Sequence, residues 1–185
     1  MSENMKEDIL NLEEKLFPTL SSKAEEEMIQ VILKAREEAD SVGGVLETCV
    51  LGVPGGVGEP WFDTMESLLS HALFSIPAVK GVEFGDGFEI TRKRGSQAND
   101  AYYLKEDGSV GTLTNFGGGI YGGITNGEPI LFRCAVKPTP TIGKEQKTVS
   151  LEENKEKTVS FGGRHDPCIV HRARIVVDSV TALVL

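Results

Sequence analysis

The feature that most constrains this 185-residue chain is the clustering of its glycines. The sequence contains 21 glycines, and most of them lie between Gly81 and Gly163. Clustered glycines mark turns, or places where the backbone must come close to another group. Predicted helices and strands are interspersed with these turns, without strict βαβ alternation. We therefore expect an α+β layered domain.

Two helices are predicted in the first half of the chain. Residues 22–39 form the first, because Ser22 and Glu25 have the spacing of a capping box. Asp63 is predicted to cap the second helix, which runs to about Ile76. Each helix has a stripe of apolar residues at helical spacing. The stripes are Met28, Ile29, Ile32 and Ala35 in the first helix, and Met65, Leu68, Leu69, Ala72, Leu73 and Ile76 in the second.

Three strands are predicted. The first is rich in β-branched and apolar residues, and glycine or proline follows each of the three. They are residues 45–53, 79–84 and 130–136. Pro138 and Pro140 stop the last of them, because proline cannot donate a ladder hydrogen bond. A hairpin with a charged tip is predicted further along the chain. Its arms are residues 147–150 and 157–161.

The remaining segments complete the predicted organisation. Residues 1–20 are predicted to be an irregular leader with a short helix ahead of Pro18, and residues 21–185 to be one domain. Residues 91–109 are polar and are predicted to form a long surface loop or flap. The chain after Pro167 is predicted to be helical, and it ends on apolar residues without a cap. We therefore expect the domain to be incomplete at both ends.

Charge and cysteine content argue against several classes of protein. The formal net charge is −9, which argues against binding to nucleic acids or anionic membranes. Basic residues cluster at 92–94, at Lys137 and at 164–174, so a local basic pocket for an anionic small molecule is still possible. The three cysteines have no CxxC spacing, so we expect neither a disulfide framework nor a zinc site. Without a signal peptide or a membrane-length apolar run, the protein is predicted to be cytoplasmic.

Three segments carry residues suited to chemistry. Residues 164–167, RHDP, could form an anion clamp with a general base, or Asp166 could simply cap the following helix. Residues 137–141, KPTPT, could hold a phosphate through the lysine and two hydroxyls, or could be a solvent-facing exit from an edge strand. Residues 115–129 form a glycine loop without GxGxxG or P-loop spacing. Its backbone N–H groups could face an anion or a flat ring, or the loop could be a tight turn between strands.

Six sequence segments occur in a fixed order between about Asp40 and Leu185. They are SVGGVLETCVLGVPGGVGEP at 41–60, HALFSIPAVKGVEFGDGF at 71–88, RGSQANDAY at 94–102, TNFGGGIYGGITNGEPI at 114–130, KPTPTI at 137–142 and GRHDPCIVHRA at 163–173. Taken together, they strongly resemble the C-terminal half of the chorismate synthase family. The similarity covers nearly all of the chain beyond the first helix.

This resemblance implies a fold, an activity and an assembly. Family members form a β-α-β sandwich, with helices packed between antiparallel sheets, and this chain would supply about half of it. They convert 5-enolpyruvylshikimate 3-phosphate to chorismate by 1,4-anti elimination of phosphate, in the shikimate pathway of aromatic amino acid biosynthesis. The reaction needs reduced FMN, from a flavin reductase or another source, although there is no net redox change. Full-length members are usually homotetramers.

The resemblance also implies site residues, carried over only where the motif matches. Asp166 matches the aspartate near flavin N5 that is proposed to transfer a proton. Arg164 matches the arginine beside flavin and substrate, and Gly122 matches a flavin-contact glycine. The other positions matched to FMN contacts are Pro77, Ala78, Lys137, Pro138, Thr139, Pro140 and Thr141. Many members have asparagine where this chain has Pro77.

The resemblance also sets an expectation about activity. Full-length members are about twice as long, and their N-terminal half carries two histidines with acid roles and most of the substrate-binding arginines. None of those motifs is present in this sequence. We therefore expect the chain to be inactive by itself and prone to associate. The alternative function is a non-catalytic half that binds FMN and pairs with a separate N-terminal half.

Overall fold

A computed structural model describes residues 3–13 and 15–185 of the chain. Within them the chain divides into two compact units. The sheet unit consists of Gly44–Lys137 and Ala173–Leu185. The second unit consists of the chain up to Gly43 together with Pro138–Arg172. The predicted domain boundary at residue 20 stays a prediction.

Helices and strands are interspersed along the whole described chain. The helices are α1 (Glu3–Glu13), α2 (Ser22–Glu37), α3 (Met65–Phe74), α4 (Gly95–Ala98) and α5 (Val170–Val184). The strands are β1 (Gly44–Val50), β2 (Val79–Phe84), β3 (Tyr102–Leu104), β4 (Val110–Thr112), β5 (Ile120–Tyr121), β6 (Ile124–Thr125), β7 (Ile130–Val136), β8 (Gln146–Ser150) and β9 (Lys155–Val159). Short 3₁₀ helices occupy Trp61–Asp63 and Gly87–Arg92. Every strand pairing among the described residues is antiparallel, which confirms the predicted α+β class.

The sheet unit is organised around β7, which lies between β1 and β2 in a three-stranded sheet. Val50 pairs with Ile130 at one end of the β1–β7 ladder. Alternate residues of β7 are buried, because successive side chains of a strand point to opposite faces of the sheet. The β2–β7 register shifts between Val79 and Gly81, where β2 bulges.

The core of the sheet unit forms where α3 packs against the buried face of this sheet. Most of the predicted apolar stripe of this helix is buried, and Leu69 and Leu73 are fully enclosed, but Leu68 is 39% exposed. The buried cluster consists of Met65, Leu69, Leu73, Ile76, Val79, Ile120, Ile130, Phe132, Cys134 and Val177. The prediction that Asp63 caps α3 is wrong, since Asp63 ends a 3₁₀ helix. Thr64 is extended instead, and its Oγ1 accepts a hydrogen bond from the Ser67 N–H at 3.0 Å.

The second unit contains α2 and the predicted hairpin. The cap of α2 lies one residue earlier than predicted, because Ser21 is the extended residue and its Oγ accepts from the Ala24 N–H at 3.3 Å. The hairpin is confirmed as β8 paired with β9, and its second arm begins at Lys155 rather than at residue 157. The predicted helix after Pro167 is confirmed as α5.

Residues 91–109 lie largely at the surface, as predicted, but the prediction that they are irregular is wrong. This segment contains α4 and β3, and β3 pairs with β4 in an antiparallel hairpin. The hairpin turns at Glu106 and Asp107, where the Gly108 N–H donates to the Lys105 carbonyl at 3.0 Å, and Gly108 has a φ of +82°. An Asp-Gly pair between two short strands favours such a turn, so this dipeptide was the available signal.

The cysteines are not joined by disulfides. Cys134 and Cys168 are buried and Cys49 is half-buried, and all three are free thiols. Desolvation raises the pKa of the Cys134 thiol to about 11. Among the described residues, no helix combines the length and apolar character needed to cross a membrane. The same residues contain no group of three or more His, Cys, Asp or Glu side chains arranged to hold a metal ion.

Candidate active site

The turn between α3 and β2 brings two predicted site residues together. Ala78 has a φ of +78°, a left-handed conformation that residues with a side chain rarely adopt. Its carbonyl oxygen accepts a hydrogen bond from the Lys137 N–H at 2.9 Å, which attaches the end of β7 to this turn. Ala78 is half-buried, whereas Pro77 and Lys137 are exposed. Backbone strain of this kind is concentrated at functional sites.

Gly122 lies elsewhere in the sheet unit, at the tip of the β5–β6 hairpin. Gly122 and Gly123 have φ values of +59° and +88°, as a two-residue type I′ turn requires. The Gly123 carbonyl accepts from the Met65 N–H at 2.9 Å, so the tip is docked on the start of α3. A Cβ at Gly123 would lie 2.5 Å from the Thr64 side chain, whereas one at Gly122 would meet nothing within 4 Å. The turn therefore leaves open space at Gly122.

The start of the glycine loop is held by a residue that sequence reasoning missed. Asp100 is 3% exposed, and its carboxylate accepts hydrogen bonds from the N–H groups of Phe116 at 2.8 Å and Gly117 at 2.9 Å. It also accepts from the Thr114 hydroxyl at 2.5 Å. The polarity of its surroundings in the sequence concealed it, because hydropathy does not distinguish an inward carboxylate from a solvated one.

In the second unit, the KPTPT segment is fastened through its backbone. The Thr139 carbonyl accepts from the Ser41 hydroxyl at 2.7 Å, and the Pro140 carbonyl accepts from Gln146 Nε2 at 3.0 Å. The Thr139 Oγ1 is buried and has no hydrogen-bond partner among the described residues. A buried hydroxyl without a partner is costly and is available to a ligand. The exposed members of the segment in this unit are Pro138, Pro140 and Thr141.

Lys144 ties the chain beyond this segment to the end of α2. Its Nζ lies 2.7 Å from the Asp40 carboxylate and 3.6 Å from that of Glu38. Its backbone N–H donates to the Ala39 carbonyl at 3.3 Å. The hydrogen bond from Lys144 holds the pKa of Asp40 below its ordinary value of 3.8 and raises the pKa of Lys144 above 10.5.

The RHDP segment also lies in the second unit and contains the remaining predicted site residues. The alternative in which Asp166 caps α5 is wrong, because α5 begins at Val170, four residues after Asp166. The Asp166 carboxylate instead accepts a hydrogen bond from the side chain of Arg172. His165 Nε2 lies 2.8 Å from the Phe161 carbonyl. Arg164 is exposed. The segment thus presents a solvent-accessible guanidinium close in sequence to a carboxylate held by a second arginine.

Comparisons with known proteins agree with the sequence resemblance. A family model described as chorismate synthase matches residues 3–185. The chorismate synthase of Methanothermobacter thermautotrophicus is 51% identical over 163 residues, which cover 88% of this chain and 44% of the relative. That of Pyrococcus abyssi is 50% identical over 179 residues, covering 97% of this chain and 49% of the relative.

A crystal structure of chorismate synthase is similar in fold, with a TM-score of 0.72 and 32% identity. The likeness covers 90% of this chain and 43% of that one, which confirms the expected sandwich class with about half of the fold represented. The chain spans less than half the length of the curated relatives it matches. With nearly every residue inside the family match, and with sequence and fold in agreement, this chain belongs to the chorismate synthase family.

Proposed function

We propose that this chain supplies residues for the chorismate synthase reaction, the 1,4-anti elimination of phosphate from 5-enolpyruvylshikimate 3-phosphate to give chorismate. The observation that carries this proposal is the family match over residues 3–185. In this reaction the carbon–oxygen bond to phosphate breaks, and phosphate leaves with the bonding electrons. Overall, C6 loses a proton and the electron pair of that C–H bond stays in the ring, which gains one double bond. The substrate is therefore neither oxidised nor reduced overall. The enzyme is therefore a lyase of aromatic amino acid biosynthesis.

Residues in this chain fit a cofactor that carries both a phosphate and a flat ring. In the sheet unit, Lys137 is exposed and suited to a charge-assisted bond with phosphate. In the second unit, the buried Thr139 hydroxyl has no partner among the described residues and is suited to donate a hydrogen bond to phosphate. Pro138 and Pro140 stiffen the backbone of this segment as far as Thr141. Reduced FMN, when bound, would supply a transient electron and take up the hydrogen from C6.

In the sheet unit, Gly122 is the residue best suited to contact a flat ring. Its lack of a side chain and the open space around it allow close approach to the backbone. Ala78 offers a half-buried methyl group in a turn that Lys137 fastens. Pro77, which precedes it, is exposed and apolar. We assign these residues to flavin contact.

In the second unit, Asp166 is the residue suited to hold or move a proton. Its carboxylate is oriented by Arg172, which leaves the group partly exposed to a reacting partner. The Arg164 guanidinium is exposed and has the planar geometry that binds carboxylate or phosphate through two hydrogen bonds. We assign Asp166 a catalytic role and Arg164 a role in binding flavin and substrate anions.

The proposal extends to the assembly and supply of the whole enzyme. The family relationship supports a cytoplasmic homotetramer when the full length is present, with reduced FMN provided by a flavin reductase or another source. Because this chain spans less than half the length of its relatives, we expect it to form no chorismate alone. Activity is expected when a polypeptide with the rest of the Pyrococcus abyssi relative is added.

The test is an anaerobic assay with the purified chain, that second polypeptide, chemically reduced FMN and 5-enolpyruvylshikimate 3-phosphate. Chorismate is followed by its absorbance. We expect Asp166→Asn to lower the rate by about 100-fold or more, because it removes a proton-transfer group. The matched variant Asp107→Asn makes the same change at an exposed turn and should leave the rate unaltered.

Three outcomes would each contradict a part of the proposed function. Chorismate formed by the chain alone would mean that no further polypeptide is needed. A folded, associated mixture that forms no chorismate would contradict the reaction itself. An Asp166→Asn mixture as fast as the unaltered one would remove the catalytic role from Asp166 and leave the reaction in place.

A further inference from the structure

Residues 93–100 contact the glycine loop at Phe116 through both of their ends. At one end, Lys93 Nζ lies 3.2 Å from the centroid of the Phe116 ring and 2.5 Å from the Asp86 carboxylate. At the other end, the Asp100 carboxylate accepts the Phe116 N–H at 2.8 Å. The ring and the backbone of one loop residue are thus held by the two ends of the same segment.

The burial of Asp100 depends on this loop. A carboxylate that is 3% exposed is costly unless hydrogen bonds replace its lost solvation. Its donors are the Thr114 hydroxyl and the N–H groups of Phe116 and Gly117. Within the part of the chain that the structure describes, Asp100 has no ion-pair partner, so the loop supplies most of this compensation. Successive N–H groups around one anion hold the backbone in a single conformation.

The residues that Asp100 contacts lie close in the chain to the tip of the β5–β6 hairpin. The Phe116 carbonyl accepts from the Asp86 N–H at 2.9 Å, and the Leu131 N–H donates to the Gly118 carbonyl at 3.1 Å. Only four residues separate Gly117 from Gly122, and two of them form β5. These bonds and the Asp100 contacts act on the consecutive residues 116–118, so loss of the Asp100 contacts loosens the backbone at Gly118 as well. The short connection then leaves little slack to absorb the movement before Gly122.

We propose that Asp100 is a positioning residue, which fixes the glycine loop at Phe116 and Gly117 and thereby places Gly122 for contact with the flavin ring. The identification of the ligand as a flavin rests on the proposed function, whereas the anchoring of the loop by Asp100 does not.

The decisive variant is Asp100→Asn in the full chain. Asparagine has nearly the same shape, but its amide nitrogen cannot accept a hydrogen bond where a carboxylate oxygen did. Asp107→Asn is the matched control, because Asp107 also accepts from a backbone N–H and a hydroxyl, both of Ser109, at 2.9 and 2.6 Å. Two quantities are measured. The first is amide hydrogen exchange along the chain. The second is affinity for oxidised FMN, from the change in flavin fluorescence, in the mixture with the polypeptide that carries the rest of the Pyrococcus abyssi relative.

We expect Asp100→Asn to speed exchange at Phe116 and Gly117 by about tenfold or more, while exchange in β7 is retained. The dissociation constant for oxidised FMN should rise by about tenfold, because a smaller fraction of the chain has the loop in place. Asp107→Asn should change neither quantity. Thr114→Val removes only the hydroxyl donor and should act in the same direction by a smaller factor, which provides a second measurement if Asp100→Asn fails to fold.

Unchanged exchange at Phe116 and Gly117 in Asp100→Asn, or in Thr114→Val if the first variant does not fold, would overturn the anchoring role. Faster exchange with unaltered affinity for oxidised FMN would overturn the positioning role. If the unaltered chain, mixed with the polypeptide that carries the rest of the Pyrococcus abyssi relative, binds no oxidised FMN, the proposed function and the ligand named here are contradicted, and the exchange data still decide the anchoring.

Discussion

Gly85 and Gly122 have nearly the same backbone conformation in different surroundings, so alanine at each separates the cost of conformation from the cost of a clash. Their φ values are +55° and +59°. An alanine in this left-handed region costs about 1–2 kcal/mol at either position. A Cβ at Gly122 would meet nothing within 4 Å, so Gly122→Ala should lower the free energy of unfolding by only that amount.

The clash at Gly85 adds to this cost. A Cβ there would lie 2.1 Å from the Phe116 carbonyl oxygen and 2.5 Å from the Gly118 nitrogen, both of which are backbone atoms. The backbone must therefore move, which weakens the bonds from Gly85 N–H to Leu131 and from Asp86 N–H to Phe116, each 2.9 Å long. At about 0.5–1.5 kcal/mol for each bond, Gly85→Ala should lose about 2–5 kcal/mol in total.

Urea unfolding of the two variants and the unaltered chain, followed by far-ultraviolet circular dichroism, measures this difference. We expect the midpoint for Gly85→Ala to fall clearly below that for Gly122→Ala, with similar slopes. Equal losses would refute the reasoning, because they would mean that the loop accepts a methyl group at Gly85 without losing either hydrogen bond.

Further predictions concern the core, the pH dependence and the hairpin tip. In the same urea experiment, Leu69→Ala should lower the free energy of unfolding by about 2–5 kcal/mol. Leu68 is 39% exposed, so Leu68→Ala should lower it by less than about 1 kcal/mol. Equal losses would contradict the assigned buried face of α3. The depressed pKa of Asp40 means that its stabilisation is present above about pH 3.8 and is lost as the pH falls through the folded-state value. In unfolding measurements over a pH series, Lys144→Gln should reduce this loss of unfolding free energy at acid pH. An unchanged loss would refute the pairing of Lys144 with Asp40. Gly122→Ala should weaken oxidised FMN binding, measured by flavin fluorescence, and unchanged affinity would remove that contact.

Much of the sheet could be predicted from the sequence, because its signals are local. The sequence predicts β2 and β7 at their observed bounds, because Gly85 directly follows the first of these segments and Pro138 lies just beyond the second. Helix caps were harder, because adjacent residues compete for the same position. Ser21 rather than Ser22 caps α2, and Thr64 rather than Asp63 caps α3. The choice depends on which residue is extended, and that depends on the preceding turn.

The candidate site was predictable only in part. The motifs identify Ala78 and Lys137 separately, and folding joins them through one backbone hydrogen bond between residues far apart in the chain. No spacing rule relates the two positions. The position of Asp166 differs from the prediction for another reason. An Asp-Pro pair favours a helix that starts at the proline, whereas α5 starts at Val170 and the Asp166 carboxylate pairs with Arg172, six residues along the chain.

By itself, the sequence determined the family of this protein and the chemical groups that its site can use, because both depend on residue types in a fixed order. Only the tertiary structure decided which of those groups are enclosed. Asp100 and Asp107 are both aspartates in one polar stretch of the sequence, yet Asp100 is 3% exposed whereas Asp107 lies in an exposed turn. The difference arises because Asp100 meets the N–H groups of Phe116 and Gly117, and such long-range proximity is created by folding and is not encoded in any local pattern.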